Sequence, residues 1–350
     1  MHSAPLTVSP DETALDLFRR MRCRPLRTGL GFLDQEAGDG IRPGEVVEIC
    51  GPSRSGKTEV LINVVARYIM PRALGGEERT AVYFDNEPRF DTLRLEQLLS
   101  ERVRNSPAFM VGALPGQAAA SRPPGPSGDS DDDWERQLQA VVMECMSRVQ
   151  VVRPTSTFEF LTALAVLHHE VQQTAAVVAV DGLGSFYWKD KMAESVAGSA
   201  VAMRAAVVRA LVHLVGERSV MLFAARNALF PPRSGGGSSD QQRDYMLPAW
   251  QRLVSYRVVL ERRHQYSSSG SPLDGAGRQP QRVVGAGGPG FSFCVARVVR
   301  PGDASTTKAR DGGSGQRHPG GGLGRGAPLH FVVTCSGIHD IAGPAGAAGT

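Results

Sequence analysis

The stretch VVEICGPSRSGKTEVLINVV, Val46 to Val65, decides the fold. Gly51 is followed by four residues and then by Gly56, Lys57 and Thr58. Val46 to Cys50 is apolar enough for a short buried strand. After the turn, Val60, Leu61, Val64, Val65, Tyr68 and Ile69 recur at helical spacing, and Pro71 ends that helix. Strand, glycine-rich turn and helix in that order are the context that separates a P-loop from an accidental turn. Such a loop, here Gly51, Pro52, Ser53, Arg54, Ser55 and Gly56, wraps its backbone N–H groups around phosphate oxygens, and the helix N-terminus adds its positive end. Lys57 is then expected on the β- and γ-phosphates and Thr58 on magnesium. The expected cofactors are ATP and Mg2+.

Two further strand ends supply the acids such a site needs. Asp181 closes the apolar run AAVVAVD (175–181) and is expected to hold the magnesium through water. Asp85, Asn86 and Glu87 close TAVYFD and begin the turn after it. Glu87 is the candidate catalytic acid that polarises an attacking water, on a strand expected beside the P-loop strand; the plainer alternative is a solvated turn residue. Asn227, at the end of SVMLFAARN, is a candidate sensor of the γ-phosphate, and the plainer alternative is a residue that starts a loop.

Strands at 80–85, 149–153, 175–181 and 219–225 alternate with helical patterns at 95–103, 157–173 and 194–217. That alternation predicts a mostly parallel sheet with helices on both faces. Three later runs, YRVVLERR (256–263), FSFCVARVV (291–299) and LHFVVTC (329–335), read as antiparallel strands that finish the sheet. Low-complexity insertions are expected at 105–133, 232–244, 265–290 and 301–327, with an N-terminal segment at 1–25, a short helix at 11–24 and a disordered tail at 343–350. The core domain is therefore expected over 26–342.

The net charge of +4 gives no overall electrostatic case for nucleic acid. The five cysteines have no paired spacing, which excludes a zinc site or disulfide framework as a first reading. The apolar runs are short of a membrane span, and an intracellular, membrane-free protein is the expectation. After Asp181 the chain reads GLGSFYWKDKM (182–192), which combines aromatic rings with positive charge as single-strand binding requires. Tyr187, Lys189 and Lys191 are the candidate DNA contacts. Trp188 is instead expected to pack under the sheet edge or against a partner.

LRTGLGFLDQEAGDGIRPGEVVEICGPSRSGKT, VDGLGSFYWKDK, LPAWQRLVSYRVVL and HFVVTCSGI together resemble the RecA-like recombinase paralogue family. The resemblance implies a RecA-like α/β ATPase core, ATP and magnesium, a nuclear location, and work in homologous recombination and DNA double-strand break repair. It implies other recombinase paralogues as partners in a hetero-oligomer that binds single-stranded or branched DNA. In that family the nucleotide site lies between subunits. Phosphate roles carry over to Gly51, Gly56, Lys57 and Thr58, and the metal role to Asp181. A helical N-terminal assembly domain is not expected, since the core begins about 25 residues into the chain. The alternatives are a self-sufficient DNA-stimulated ATPase and, more distantly, a P-loop small-molecule kinase. The kinase would need an arginine-rich lid, which the glycine-rich C-terminal loops do not resemble.

Overall fold

The computed structural model describes residues 25–110, 129–170, 176–193, 198–227, 246–263, 293–299, 329–334 and 337–341. The expected helix at 11–24, the insertions at 232–244, 265–290 and 301–327, and the tail at 343–350 lie outside these residues. A nine-stranded sheet organises the rest. Its strands are β1 (Val46–Gly51), β2 (Ala81–Asp85), β3 (Val149–Val152), β4 (Val177–Asp181), β5 (Met221–Asn227), β6 (Tyr256–Arg263), β7 (Phe293–Val299), β8 (Leu329–Thr334) and β9 (Gly337–Ile341). Their order across the sheet is β3-β2-β4-β5-β1-β6-β7-β8-β9.

The helices are α1 (Gly31–Ala37), α2 (Lys57–Ile69), α3 (Thr92–Arg104), α4 (Pro107–Met110), α5 (Asp129–Ser147), α6 (Thr157–Glu170), α7 (Tyr187–Met192), α8 (Ser199–Arg218) and α9 (Pro248–Leu253). Strand residues alternate between two cores, as the period of two requires. Val47, Ile49, Tyr83, Ala179 and Phe223 face the core beneath α2, α3 and α5. Val46, Val82, Phe84, Val178 and Leu222 face the core beneath α6, α8 and α9. By length and composition α8 is apolar enough to cross a membrane. Here its Val207, Val208, Leu211, Leu214 and Val215 are buried in the second core, so that row is spent on packing.

Three sequence expectations need correction. First, β6 runs parallel to β1, with Val47 opposite Tyr256, and only β7 to β9 are antiparallel. The short helix α9 precedes β6, so β6 enters from the same end of the sheet as β1. Second, 105–133 is structured at both ends. Phe109 in α4 is buried and meets Trp134 edge-on, with ring centroids 5.5 Å apart. The acidic run belongs to the start of α5, where negative charge suits the positive end of the helix dipole. Third, the resemblance reached β9, but the hairpin it forms with β8 was not read as a strand.

A buried charge cluster pins the middle of the sheet. Glu48 of β1 is fully buried and faces the second core. Its Oε1 accepts from Arg226 Nε of β5 at 2.5 Å and from Trp250 Nε1 of α9 at 2.8 Å. Its Oε2 accepts from Arg257 Nε of β6. Burial alone would raise the Glu48 pKa; the charges of Arg226 and Arg257 outweigh it and hold the carboxyl below the usual range. Removing one member of such a cluster strands the others as buried charges. Glu48→Gln is therefore expected to destabilise the fold by about 3–5 kcal/mol, lowering the melting temperature by about 10 °C. Thermal melts followed by circular dichroism check this.

Candidate nucleotide site

The P-loop leaves β1 at Gly51 and turns into α2. A Cβ on Gly51 would lie 2.6 Å from both the Leu260 carbonyl oxygen and Ser55 Oγ, so only glycine lets the loop pass β6. Arg54 at the tip and Gly56 before the helix both have positive φ, 61° and 91°. Pro52, Ser53 and Arg54 are exposed. Among the described residues, the backbone N–H groups of Ser53, Arg54, Ser55 and Gly56 donate to no acceptor. Ser55 Oγ is buried without a partner. Lys57 Nζ donates to the Gly51 and Pro52 carbonyls, at 3.1 and 2.7 Å. Burial draws the Lys57 pKa below the usual lysine range, opposed by Glu87 and Asp181 and helped by Arg89.

The acids converge on this loop from other strands. After β1, α2 crosses the sheet over β5 and β4 on its way to β2. Its first turn therefore meets β4, two strands away. Thr58 Oγ1 donates to Asp181 Oδ2 at 2.7 Å, and Tyr83 Oη to the same oxygen at 3.2 Å. Burial raises the Asp181 pKa, and the charges of Glu87 and Asp85 add to the rise against these two hydrogen bonds.

Glu87 sits just past the end of β2, which is not beside β1 as expected: β5 and β4 stand between. The turn after β2 bends it back to the site. Asp85 shapes that turn by accepting from the N–H groups of Arg89 and Phe90, at 2.8 and 3.2 Å, and it pairs with Arg153 at 3.2 Å. Glu87 Oε1 accepts from Ser185 Oγ at 2.9 Å and from Asn227 Nδ2 at 3.0 Å. Its other oxygen pairs with Arg89 at 3.1 Å. Asn227 lies opposite Gly51 in the β1–β5 register, which carries the sensor candidate to the lip of the P-loop.

Lys57, Thr58, Asp181, Glu87 and Asn227 are thus brought to one end of the sheet. Among the described residues, the donor set suits a polyphosphate with a hard cation: amide N–H groups with no acceptor, an ammonium bonded to two carbonyls, and a hydroxyl beside a carboxylate. Tyr83, Asp85, Arg89 and Ser185 support these groups and were not singled out from sequence. For Tyr83 the only signal was its place on the inward face of a strand.

The DNA candidates lie apart, on α7. Tyr187 is half-buried, with the Arg204 guanidinium 4.7 Å from its ring. Lys189 and Lys191 are exposed; Lys189 Nζ donates to the Thr155 carbonyl at 3.4 Å. Phe186 packs into the core, but Trp188 is 61% exposed rather than tucked under the sheet edge. Phe186 fills the inward position, and the six-residue helix turns Trp188 outward.

A glycine-rich loop between β1 and α2, an aspartate at the end of β4 and this strand order define a RecA-like core. The Rad51 family model matches residues 19–109. The chain is 27% identical over 243 residues to the DNA repair protein XRCC2 of Mus musculus, covering 65% of this chain and 75% of that one. It is 26% identical over 269 residues to the XRCC2 homologue of Arabidopsis thaliana, covering 65% and 72%. With the DNA repair protein RAD51 homolog 4 of Bos taurus it shares 26% identity over 265 residues, 73% of this chain and 68% of that one. The chain is similar to RecA-like recombinase paralogues, among them proteins of the XRCC2 kind.

Asp181 gives a prediction with two signs. Its folded-state pKa is raised, so ionising it costs stability once the pH exceeds its unfolded value. Asp181→Asn keeps an acceptor for Thr58 and Tyr83 and removes that cost. The variant is expected to melt higher at neutral pH, with the advantage shrinking as pH falls through the folded-state pKa. Its nucleotide affinity should fall in the presence of magnesium and change little without it. Differential scanning calorimetry across pH, beside nucleotide titrations with magnesium and with a chelator, checks both.

Proposed function

We propose that this chain binds ATP and magnesium and acts in the nucleus as a mediator of homologous recombination and double-strand break repair, within a hetero-oligomer of recombinase paralogues. The observation that carries the reading is the contact of Thr58 with Asp181, which joins the P-loop helix to a carboxylate from another strand. Such a pair holds magnesium in a P-loop protein. The proteins this chain resembles are named for DNA repair, which supports the biological role.

In this reading the Ser53–Gly56 amides and Lys57 bind the phosphates, and Thr58 and Asp181 hold the metal. The magnesium would draw charge from the γ-phosphate. Glu87 is the residue to orient a water. Three of its roughly four lone-pair sites are already engaged by Ser185, Asn227 and Arg89, so turning it toward a water costs one or more of these contacts. That predicts slow turnover and favours a nucleotide that holds an assembly together. Tyr187, Lys189 and Lys191 lie on a surface suited to single-stranded or branched DNA, with Arg204 adding positive charge against the Tyr187 ring.

Two measurements test this. Lys57→Ala is expected to lower ATP affinity at least about tenfold, since charge-assisted hydrogen bonds to phosphate are about twice as strong as neutral ones. Unchanged affinity in a calorimetric titration would end the P-loop assignment. Light scattering and turnover on one sample address the assembly. The chain alone is expected to be monomeric or poorly behaved and to hydrolyse ATP slowly, and to gain stability with a recombinase paralogue by mass action. A homogeneous filament of this chain, or rapid DNA-stimulated turnover by it alone, would favour the self-sufficient ATPase instead.

A further inference from the structure

On the face of the sheet opposite α2, the second core is left unfilled at one point. A cavity of about 40 Å³ lies among the start of α6, the segment before α7 and the middle of α8. Phe160, Leu183, Phe186 and Val208 wall it, and all four are buried. Its rim is half-buried, at Tyr187, Arg204 and Met246, so the cavity reaches the surface there. The gap follows from how the elements meet. The Thr157 hydroxyl donates to Asp190 Oδ2 at 2.6 Å, which ties α7 to the start of α6. Opposite them α8 presents valines, short side chains held near one χ1 rotamer in a helix, and these leave the space open rather than swing into it.

One polar side chain belongs to this apolar lining. Asn86 is 5% exposed. Its Nδ2 donates to the Gly182 carbonyl at 3.3 Å. That bond fixes which way the amide faces, since the reverse orientation would set oxygen against oxygen. Oδ1 is left buried with no partner among the described residues. An amide oxygen can accept two hydrogen bonds, and a buried acceptor with none is costly. Other polar groups of the lining are engaged elsewhere. Thr157 donates to Asp190, and Arg204 Nε donates to the Ala200 carbonyl at 3.4 Å while its guanidinium lies against the Tyr187 ring. Water answers the need poorly. The volume exceeds the roughly 10–15 Å³ that one water requires, but a buried water makes two to four hydrogen bonds, and these walls are hydrocarbon.

We propose that this cavity is a binding site for a small, mostly apolar molecule that carries a single N–H or O–H donor. The apolar body lies between Phe160, Phe186 and Val208, and the donor meets Asn86 Oδ1. The site belongs to the second core, and nothing about it requires a nucleotide on the P-loop.

Pyrrole and furan are suitable probes. They have nearly the same shape, but pyrrole carries an N–H where furan has an oxygen and no donor. The full chain, labelled at its leucine and valine methyl groups, is titrated with each by NMR. The Leu183 and Val208 methyl signals are expected to shift and saturate with pyrrole. Furan should need about tenfold more, because it leaves Asn86 Oδ1 buried without a partner. Asn86→Leu replaces the acceptor by an apolar group of similar size and should bring the two probes within about threefold of each other. If the methyl spectrum shows that this variant is unfolded, the comparison of the two probes on the wild-type chain decides alone. Leu183 and Val208 signals unmoved by pyrrole, furan binding the wild type as tightly as pyrrole, or a pyrrole preference that survives in folded Asn86→Leu would each overturn the proposal.

Discussion

Glu48 ties together the strands on either side of the P-loop. Through Arg226, Arg257 and Trp250 it joins β5, β6 and α9 to β1, three residues before Gly51. Buried ion pairs add little net stability over apolar packing, but losing one partner is costly. Their effect here is to admit one arrangement. A slip of β1 by one residue would turn Glu48 into the opposite core, away from Arg226 and Arg257. Everything that the site requires of β1 follows from that fixed register. Gly51 stands opposite Asn227, and the loop passes Leu260 with no room for a side chain.

The site then collects three acids at one sheet end, and each is provided for separately. Among the described residues, Asp85 is neutralised by Arg153 and two backbone N–H groups, Glu87 by Arg89 with Ser185 and Asn227, and Asp181 only by the hydroxyls of Thr58 and Tyr83. Asp181 is therefore the least compensated of the three, and burial raises its pKa. A divalent cation would supply the missing charge. The strain sits at the residue whose proposed role is to receive a metal, in keeping with perturbed groups marking functional positions.

What the sequence made legible is what neighbours in the chain decide. The P-loop was readable because strand, turn and helix are consecutive, and Asp181 because an apolar strand ends in a carboxylate. Lateral order was not readable. Nothing in the residues of β2 says that β4 and β5 intervene between it and β1, so Glu87 was assigned to a neighbouring strand and reaches the site by the Asp85 turn instead. The direction of β6 was hidden for the same reason: an apolar strand pattern is the same in parallel and antiparallel pairs.

The exposure of Trp188 has a different origin. Apolar content argued for burial, since aromatic clusters are costly to leave in water. A six-residue helix offers only one inward face, and Phe186 just before it has already filled the core there. The aromatic run is thus divided by geometry. Phe186 anchors the segment in the second core, Tyr187 stacks under Arg204, and Trp188 is turned out beside Tyr187, with ring centroids 4.9 Å apart. The result is an anchored segment with an aromatic group on its outer side, and Ser185, just before it, donates to Glu87. Exposure of Trp188 is in this sense a consequence of how Phe186 is held in the second core.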